Sequence, residues 1–341
     1  MERRKFIQTS ALVTASFYIS RDLFAKPKGP VYGHNNMRYA LDTKWGTLDS
    51  SRYPVKDCHE MVQDKHGRIL LLTNETKNNI LIYNKSGKLL DSWGHEFPGA
   101  HGLTLTNENG TEFLFITDTE KHQVYKTTMD GKILMTIDYP AETGVYKKKE
   151  DFVPTETAVA DNGDFYIADG YGSQYVMRYD RNGKLLGFFG GRGNGDEHLD
   201  NAHGVCVDRR KGTPTLLITD RTRNCFKRFT MEGKLLEVIS LPGACVCRPV
   251  IKGDHLYTAV LRSPNLDANG TGFVSILDKD NKVISNIGGT APTYSNGQLQ
   301  PMLQAEKIFV HPHDVCVDND ENLYVAQWNA GKVYPYKLRR V

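Results

Sequence analysis

The sequence predicts an all-β protein: a six-bladed β-propeller of four-stranded antiparallel blades, closed by an N-terminal strand. Three observations carry this. One turn phrase recurs five times along the 341 residues. Each copy is flanked by short apolar or aromatic runs of strand length. No stretch after residue 30 has helical periodicity of useful length.

The first 25 residues differ from the rest. "MERRKFIQTSALVTASFYISRDLFA" opens with the paired Arg3 and Arg4 and runs uncharged from Phe6 to Ser20; Ala25 is the candidate residue before a cleavage point, but "LFA" matches a small-x-small site poorly, and a retained signal anchor is the alternative. The segment reads as a Tat-like export signal, which places the mature protein in the periplasm or outside the cell. The run is too short and too polar for a membrane span. Residues 30–341 are expected to form a single propeller.

"KSGKLLDSWG" (85–94), "MDGKILMTID" (129–138), "RNGKLLGFFG" (181–190), "MEGKLLEVIS" (231–240) and "KDNKVISNIG" (279–288) are variants of one phrase. Marked by Gly87, Gly131, Gly183, Gly233 and Asn281, they are spaced by 44, 52, 50 and 48 residues. A tight polar turn between two apolar runs is a hairpin. A third strand precedes each hairpin ("EFLFITD", "DFYIADG", "TLLITD"), and a fourth precedes that. Four strands per period of about 40–50 residues is a propeller blade. The innermost strands begin near His59, His101, Thr155, His203, Arg248 and His313, which makes six blades. The sixth lacks an outer strand at the C-terminus. "MRYALDTKWG" (37–46) resembles the outer-strand phrase and is expected to supply it, removing the open edges of a linear array. Segments 139–152 and 289–307 are longer loops between blades.

Forty-three basic residues against forty acidic ones leave a net charge of +3, so nothing calls for a nucleic-acid partner. The six cysteines (Cys58, Cys206, Cys225, Cys245, Cys247 and Cys316) have no framework spacing and read mostly as free, packed thiols.

The candidate chemistry lies in a second repeated phrase: "GAHGLTLT" (99–106), "NAHGVCVD" (201–208) and "HPHDVCVD" (311–318). His101, His203 and His313 start the inner strands of blades two, four and six. Alternate blades of a regular six-fold ring are about 120° apart, so the three rings converge on the axis. Three imidazoles with an open fourth position is the arrangement of a catalytic zinc. His59 holds the same place on blade one, as a fourth ligand or a proton-transfer group. His95, His198, His255 and His311 read as surface or packing residues.

The phrases "AHGLTLT", "IADGYGSQYVMRYDRNGKLLGFFG", "NAHGVCVD", "LITDRTRN" and "HPHDVCVDNDENLYVAQWNAGKVYPYKL" resemble the NHL-repeat six-bladed propellers and, within them, the peptidyl-α-hydroxyglycine α-amidating lyase family. The resemblance runs thinly over about residues 50–338. It implies zinc on His101, His203 and His313, Tyr171 as base or oxyanion beside it, and Arg221 meeting substrate or tyrosinate. It also implies a structural calcium on the Asp314 carboxylate and carbonyls near Leu103. A tyrosine beside a cation and an arginine is expected to ionise more easily. The chain departs from the family where Thr73 and Asn74 stand in place of an arginine, and where Gly172 replaces a cysteine. Arg248, on blade five, is a candidate to restore the lost charge. Two function classes follow, beside a bare scaffold with no site at all. One is an exported, zinc-dependent lyase or hydrolase acting on a small polar or peptide substrate at the channel mouth. The other is a non-catalytic propeller that binds a peptide, glycan or partner protein on its top face.

Overall fold

Turn chemistry builds the blades. The structure, a computed structural model, describes residues 29–341; the export segment lies outside them. At Gly131 φ is +92°, and a Cβ there would sit 2.6 Å from the Trp93 ring. Only glycine fits a left-handed turn pressed against the neighbouring blade. Asn281 takes the same backbone region, at φ 63°, as asparagine tolerates. Each hairpin then shifts register by one residue after the turn, as at Ile82/Tyr83, Arg178/Tyr179 and Arg228/Phe229, a bulge that sharpens strand twist.

Blade one consists of Cys58–Gln63, Ile69–Thr73, Ile80–Tyr83 and Leu89–Trp93; blade two of Ala100–Glu108, Thr111–Asp118, Gln123–Thr128 and Ile133–Ile137. Blade three is Glu156–Val159, Phe165–Ala168, Tyr175–Tyr179 and Leu185–Gly190; blade four is Val205–Asp208, Thr215–Asp220, Cys225–Phe229 and Leu235–Ser240. The inner strand of blade five is split into Cys245–Val246 and Val250–Lys252, both paired with His255–Arg262. Pro249, which has no N–H to give the ladder, sits in the break. Phe273–Leu277 and Val283–Ile287 complete that blade.

Blade six closes the ring as the sequence predicts. Pro312–Val317, Leu323–Gln327 and Tyr336–Arg340 are followed outward by Met37–Asp42, with Tyr39 opposite Arg340 and Asp42 opposite Lys337. A further strand, Val31–His34, adds a fifth to the sheet; its alternation is too short to read from sequence. Trp45 locks the junction. Its ring lies 5.1 Å from Tyr83 and 4.6 Å from Tyr324, and its indole N–H donates to the Lys85 carbonyl at 3.1 Å.

Apolar clusters fill each junction between neighbouring blades, blade six against blade one included. Segment 139–152 holds two single 3-10 turns, Ala141–Thr143 and Lys149–Asp151, and segment 289–307 holds a small hairpin, Tyr294–Ser295 with Gln298–Leu299. All six cysteines are free. Among the described residues no helix is long and apolar enough to cross a membrane.

Candidate metal centre at the channel mouth

Inner strands line the axis, and the histidines sit where those strands depart from regular pairing. Register breaks between Cys58 and Glu60, between Ala100 and Leu103, and between Pro312 and Asp314. A bulge re-aims the side chain it carries; here His59, His101 and His313 turn toward the axis. His203 lies just before the strand Val205–Asp208, after Asn201 at φ 65°. The residue after His203 is Gly204, where a Cβ would meet the Arg248 Cα at 2.4 Å. The "HG" pair therefore records how closely blades four and five approach.

The four rings form a rhombus. Centroid spacings are 4.9 Å for His59–His101, 4.8 Å for His101–His203, 4.7 Å for His203–His313 and 4.9 Å for His313–His59, with His101–His313 at 4.8 Å as the short diagonal. Two overlapping trios result. The set expected from the alternate blades, His101, His203 and His313, is one by its ring-centroid spacings of 4.7–4.8 Å, although His203 is outside the trio whose ligand atoms are all drawn together. His59, His101 and His313, whose ligand atoms lie within 4.8 Å of one another, is the other.

Hydrogen bonds set the ring orientation. His101 Nδ1–H donates to the Thr155 carbonyl at 2.8 Å, and His313 Nδ1–H to the His59 carbonyl at 3.0 Å. Each therefore turns a lone-pair Nε2 inward, the usual preparation of a metal ligand. His203 Nε2 is 3.1 Å from His313 Nε2. Two imidazoles on one tetrahedral ion put their nitrogens about 3.3 Å apart. His59 Nδ1 and His203 Nδ1 are buried without a hydrogen-bond partner. All four rings are at most 5% exposed. Burial pushes the pKa of His59 down to about 3 and holds those of His101, His203 and His313 well below the usual imidazole range. Neutral imidazoles are what a cation requires. The set fits a metal ion.

Tyr171 and Arg221 stand over this set. The Tyr171 ring is 42% exposed at the mouth, but its hydroxyl points inward and donates to His101 Nε2 at 3.0 Å. Burial raises its pKa, and the Arg221 charge opposes that rise without reversing it. The eased ionisation expected from sequence is thus not delivered by Arg221 alone. Arg221 is 2% exposed; its guanidinium donates to the Val246 carbonyl and to Cys247 Sγ, both at 3.2 Å. Among the described residues no carboxylate pairs with it. Asp220 is instead taken by Lys227 at 2.9 Å and Arg223 at 3.3 Å.

A cavity of about 390 Å3 opens above, walled by Leu261, Leu266 and Trp328, with Asn74 and Arg262 at its sides. Arg262 and Trp328 were not singled out in the sequence, because neither lies in a repeated phrase. The Asn74 side chain is tied to Asp57 by two hydrogen bonds. His311 is a packing residue, accepting from the Gly270 N–H at 3.1 Å.

Two expectations are corrected. Arg248 does not restore charge at the mouth; its guanidinium lies deeper in the channel. There it bonds both Asp314 oxygens at 2.7 and 2.9 Å and the carbonyls of Leu103 and Met61 at 2.9 Å. Those are the oxygens assigned to calcium, so the residues present do not fit that ion.

The site defines a class: a propeller with a buried imidazole cluster at the channel mouth. No protein-family model matches the chain. The chain is 38% identical over 109 residues to peptidyl-alpha-hydroxyglycine alpha-amidating lyase 1 of Drosophila melanogaster, covering 31% of this chain and 19% of that one. It is 34% identical over 121 residues to a probable lyase of the same name from Caenorhabditis elegans, covering 34% and 32%. It is 25% identical over 191 residues to human NHL repeat-containing protein 3, covering 48% and 55%. The matches span well under two thirds of these relatives. Among solved structures, a streptogramin B lyase superposes with TM-score 0.56 at 15% identity over 88% of this chain and 97% of that one. A gluconolactonase of Xanthomonas campestris superposes at 0.57 and 13%, over 92% and 98%. At such identity these two share the fold. The chain is a six-bladed propeller homologous to amidating lyases and NHL-repeat proteins.

Proposed function

We propose that the protein is an exported, zinc-dependent lyase that cleaves a C–N bond in a small carbinolamide substrate bearing a carboxylate, of the peptidyl-α-hydroxyglycine type. The observation that carries this is the buried imidazole set beneath Tyr171 and Arg221. His101, His203 and His313 would hold the ion, with His59 beside them as a further ligand or proton carrier. Zinc, when bound, supplies Lewis-acid polarisation of a substrate hydroxyl.

The chain's own groups do the rest. Tyr171 Oη, 3.0 Å from His101 Nε2, is placed to take the hydroxyl proton as the C–O bond becomes a carbonyl. The C–N electron pair leaves on nitrogen, and the same proton is returned to it, giving an amide and an oxo acid. Arg221, without a carboxylate partner, favours the ionised phenol and offers its charge to a substrate carboxylate. Arg262, at the side of the cavity, supplies a second cation from a position unlike the one lost at Asn74. Leu261, Leu266 and Trp328 exclude water and strengthen these interactions.

The names of the fly and nematode relatives support the substrate class, and the paired arginines "ERRKF" at 2–6 support export. The test is turnover of a peptidyl-α-hydroxyglycine by zinc-loaded protein, read as the appearance of the peptide amide. Amide formation that disappears in Tyr171→Phe while zinc is retained supports the reading. Zinc-loaded protein that leaves such compounds intact sinks it and leaves a binding propeller.

A further inference from the structure

Below the histidines the channel is not open. Three carboxylates from three blades, Glu60, Glu156 and Asp314, converge on the axis and are at most 1% exposed. The cation within ion-pair distance of them among the described residues is Arg248, at 2.9 Å from Glu60, 3.6 Å from Glu156 and 2.7 Å from Asp314. Its remaining N–H groups reach the Leu103 and Met61 carbonyls. The main chain stitches the same blades: the Leu103 N–H donates to Glu60 at 2.6 Å, and the Met61 N–H to Asp314 at 2.8 Å.

Two features mark this as a cation cage rather than an ordinary ion pair. Its donors are carboxylate and carbonyl oxygens from blades one, two, three and six, the hard ligands that calcium takes six to eight at a time. And one guanidinium does not satisfy them. Glu60 Oε1 and Glu156 Oε2 are buried with no N–H donor, Glu156 Oε2 lying 3.6 Å from Arg248, and burial beside Glu156 and Asp314 raises the Glu60 pKa well above the usual carboxylate range, as happens where crowded carboxylates are short of positive charge. The break at Pro249 lets Arg248 leave the sheet and reach the axis. Above the guanidinium lies the cavity of about 390 Å3 at the histidines; on the other side lies a mouth of about 830 Å3.

We propose that Arg248 is a tethered cation occupying an oxygen cage that would otherwise bind a hard divalent ion, so that this chain seals its channel without calcium. The guanidinium donates to the same lone pairs an ion would need, which excludes simultaneous occupancy. Removing the side chain should uncover the site.

The experiment uses the full chain and Arg248→Ala, with calcium read by elemental analysis separately from zinc, and thermal melting followed across a calcium titration. Wild type should carry no calcium and melt at the same temperature with or without it. Arg248→Ala should melt lower in calcium-free buffer, recover with added calcium, and bind about one calcium per chain. Adding Asp314→Asn should abolish that recovery. Calcium bound by wild type, or a wild-type melting point raised by calcium, overturns the proposal. So does a folded Arg248→Ala that takes up none. Should Arg248→Ala fold in neither condition, Arg248→Ser, which also clears the cage and keeps a polar group at its edge, serves the same comparison, and the wild-type measurement stands on its own.

Discussion

The pH dependence of stability in metal-free protein is set in part by His59, and its size follows from the structure. An imidazole in an unfolded chain titrates near 6.5; in the folded protein burial takes that of His59 to about 3. Between those values the unfolded chain binds the extra proton, so stability is full above about pH 6.5 and falls as pH drops toward 3. From pH 7 to pH 5 the loss from this group is about 2 kcal/mol. His101, His203 and His313 shift in the same direction for the same reason. Asp169 works the other way. Burial raises its pKa to about 7, so the folded state holds its proton and acid favours folding. The wild-type slope therefore mixes opposing contributions, and the informative quantity is a difference. Urea unfolding of chelator-treated wild type and His59→Gln, at pH 7 and pH 5, should show a pH-dependent loss smaller in the variant by about 2 kcal/mol at unchanged m. Equal losses in the two proteins would refute the view that a neutral, desolvated His59 faces His101 and His313.

Trp45→Ala should cost about 3–5 kcal/mol in urea unfolding, because a 4%-exposed indole between Tyr83 and Tyr324 has no neighbour to replace it; a cost under about 1 kcal/mol would contradict its locking role. Deleting residues 30–50 should leave the Tyr336–Arg340 edge bare and yield aggregating protein; a soluble product with an unchanged melting point would mean the ring does not close this way. Lys227→Met strands the buried Asp220 carboxylate and should lose about 3–5 kcal/mol by denaturation; near-wild-type stability would mean Arg223 suffices. Tyr171→Phe should keep metal content and melting point while lowering turnover by about 10²–10⁴-fold; unchanged turnover would remove Tyr171 as the base.

Periodicity reports what every blade needs. The turn glycines, the flanking strands and the N-terminal outer strand were all legible because each repeats, and His101, His203 and His313 were legible because they repeat on alternate blades. His59 was visible as a fourth copy, but not its distance. Blade one lies between blades two and six, so His59 reaches the same pair of rings that His203 reaches from the opposite side. The place of Arg248 is not written in its local sequence, for a physical reason. Its side chain leaves blade five at a strand break and meets acids contributed by blades one, three and six, and nothing in the local sequence records a contact across the axis. Arg262 and Trp328 are unrepeated, so no pattern marked them, although both face the cavity.

The central claim is that one ion is shared by imidazoles from separate blades. Metal analysis of the full chain after zinc loading, with X-ray absorption at the zinc edge, tests it most directly. The account predicts about one zinc per chain, coordinated by three or four imidazole nitrogens at about 2.0–2.1 Å, and its loss in a folded His203→Ala. A zinc-free wild type, or a zinc held by sulfur or carboxylate ligands instead, would contradict it.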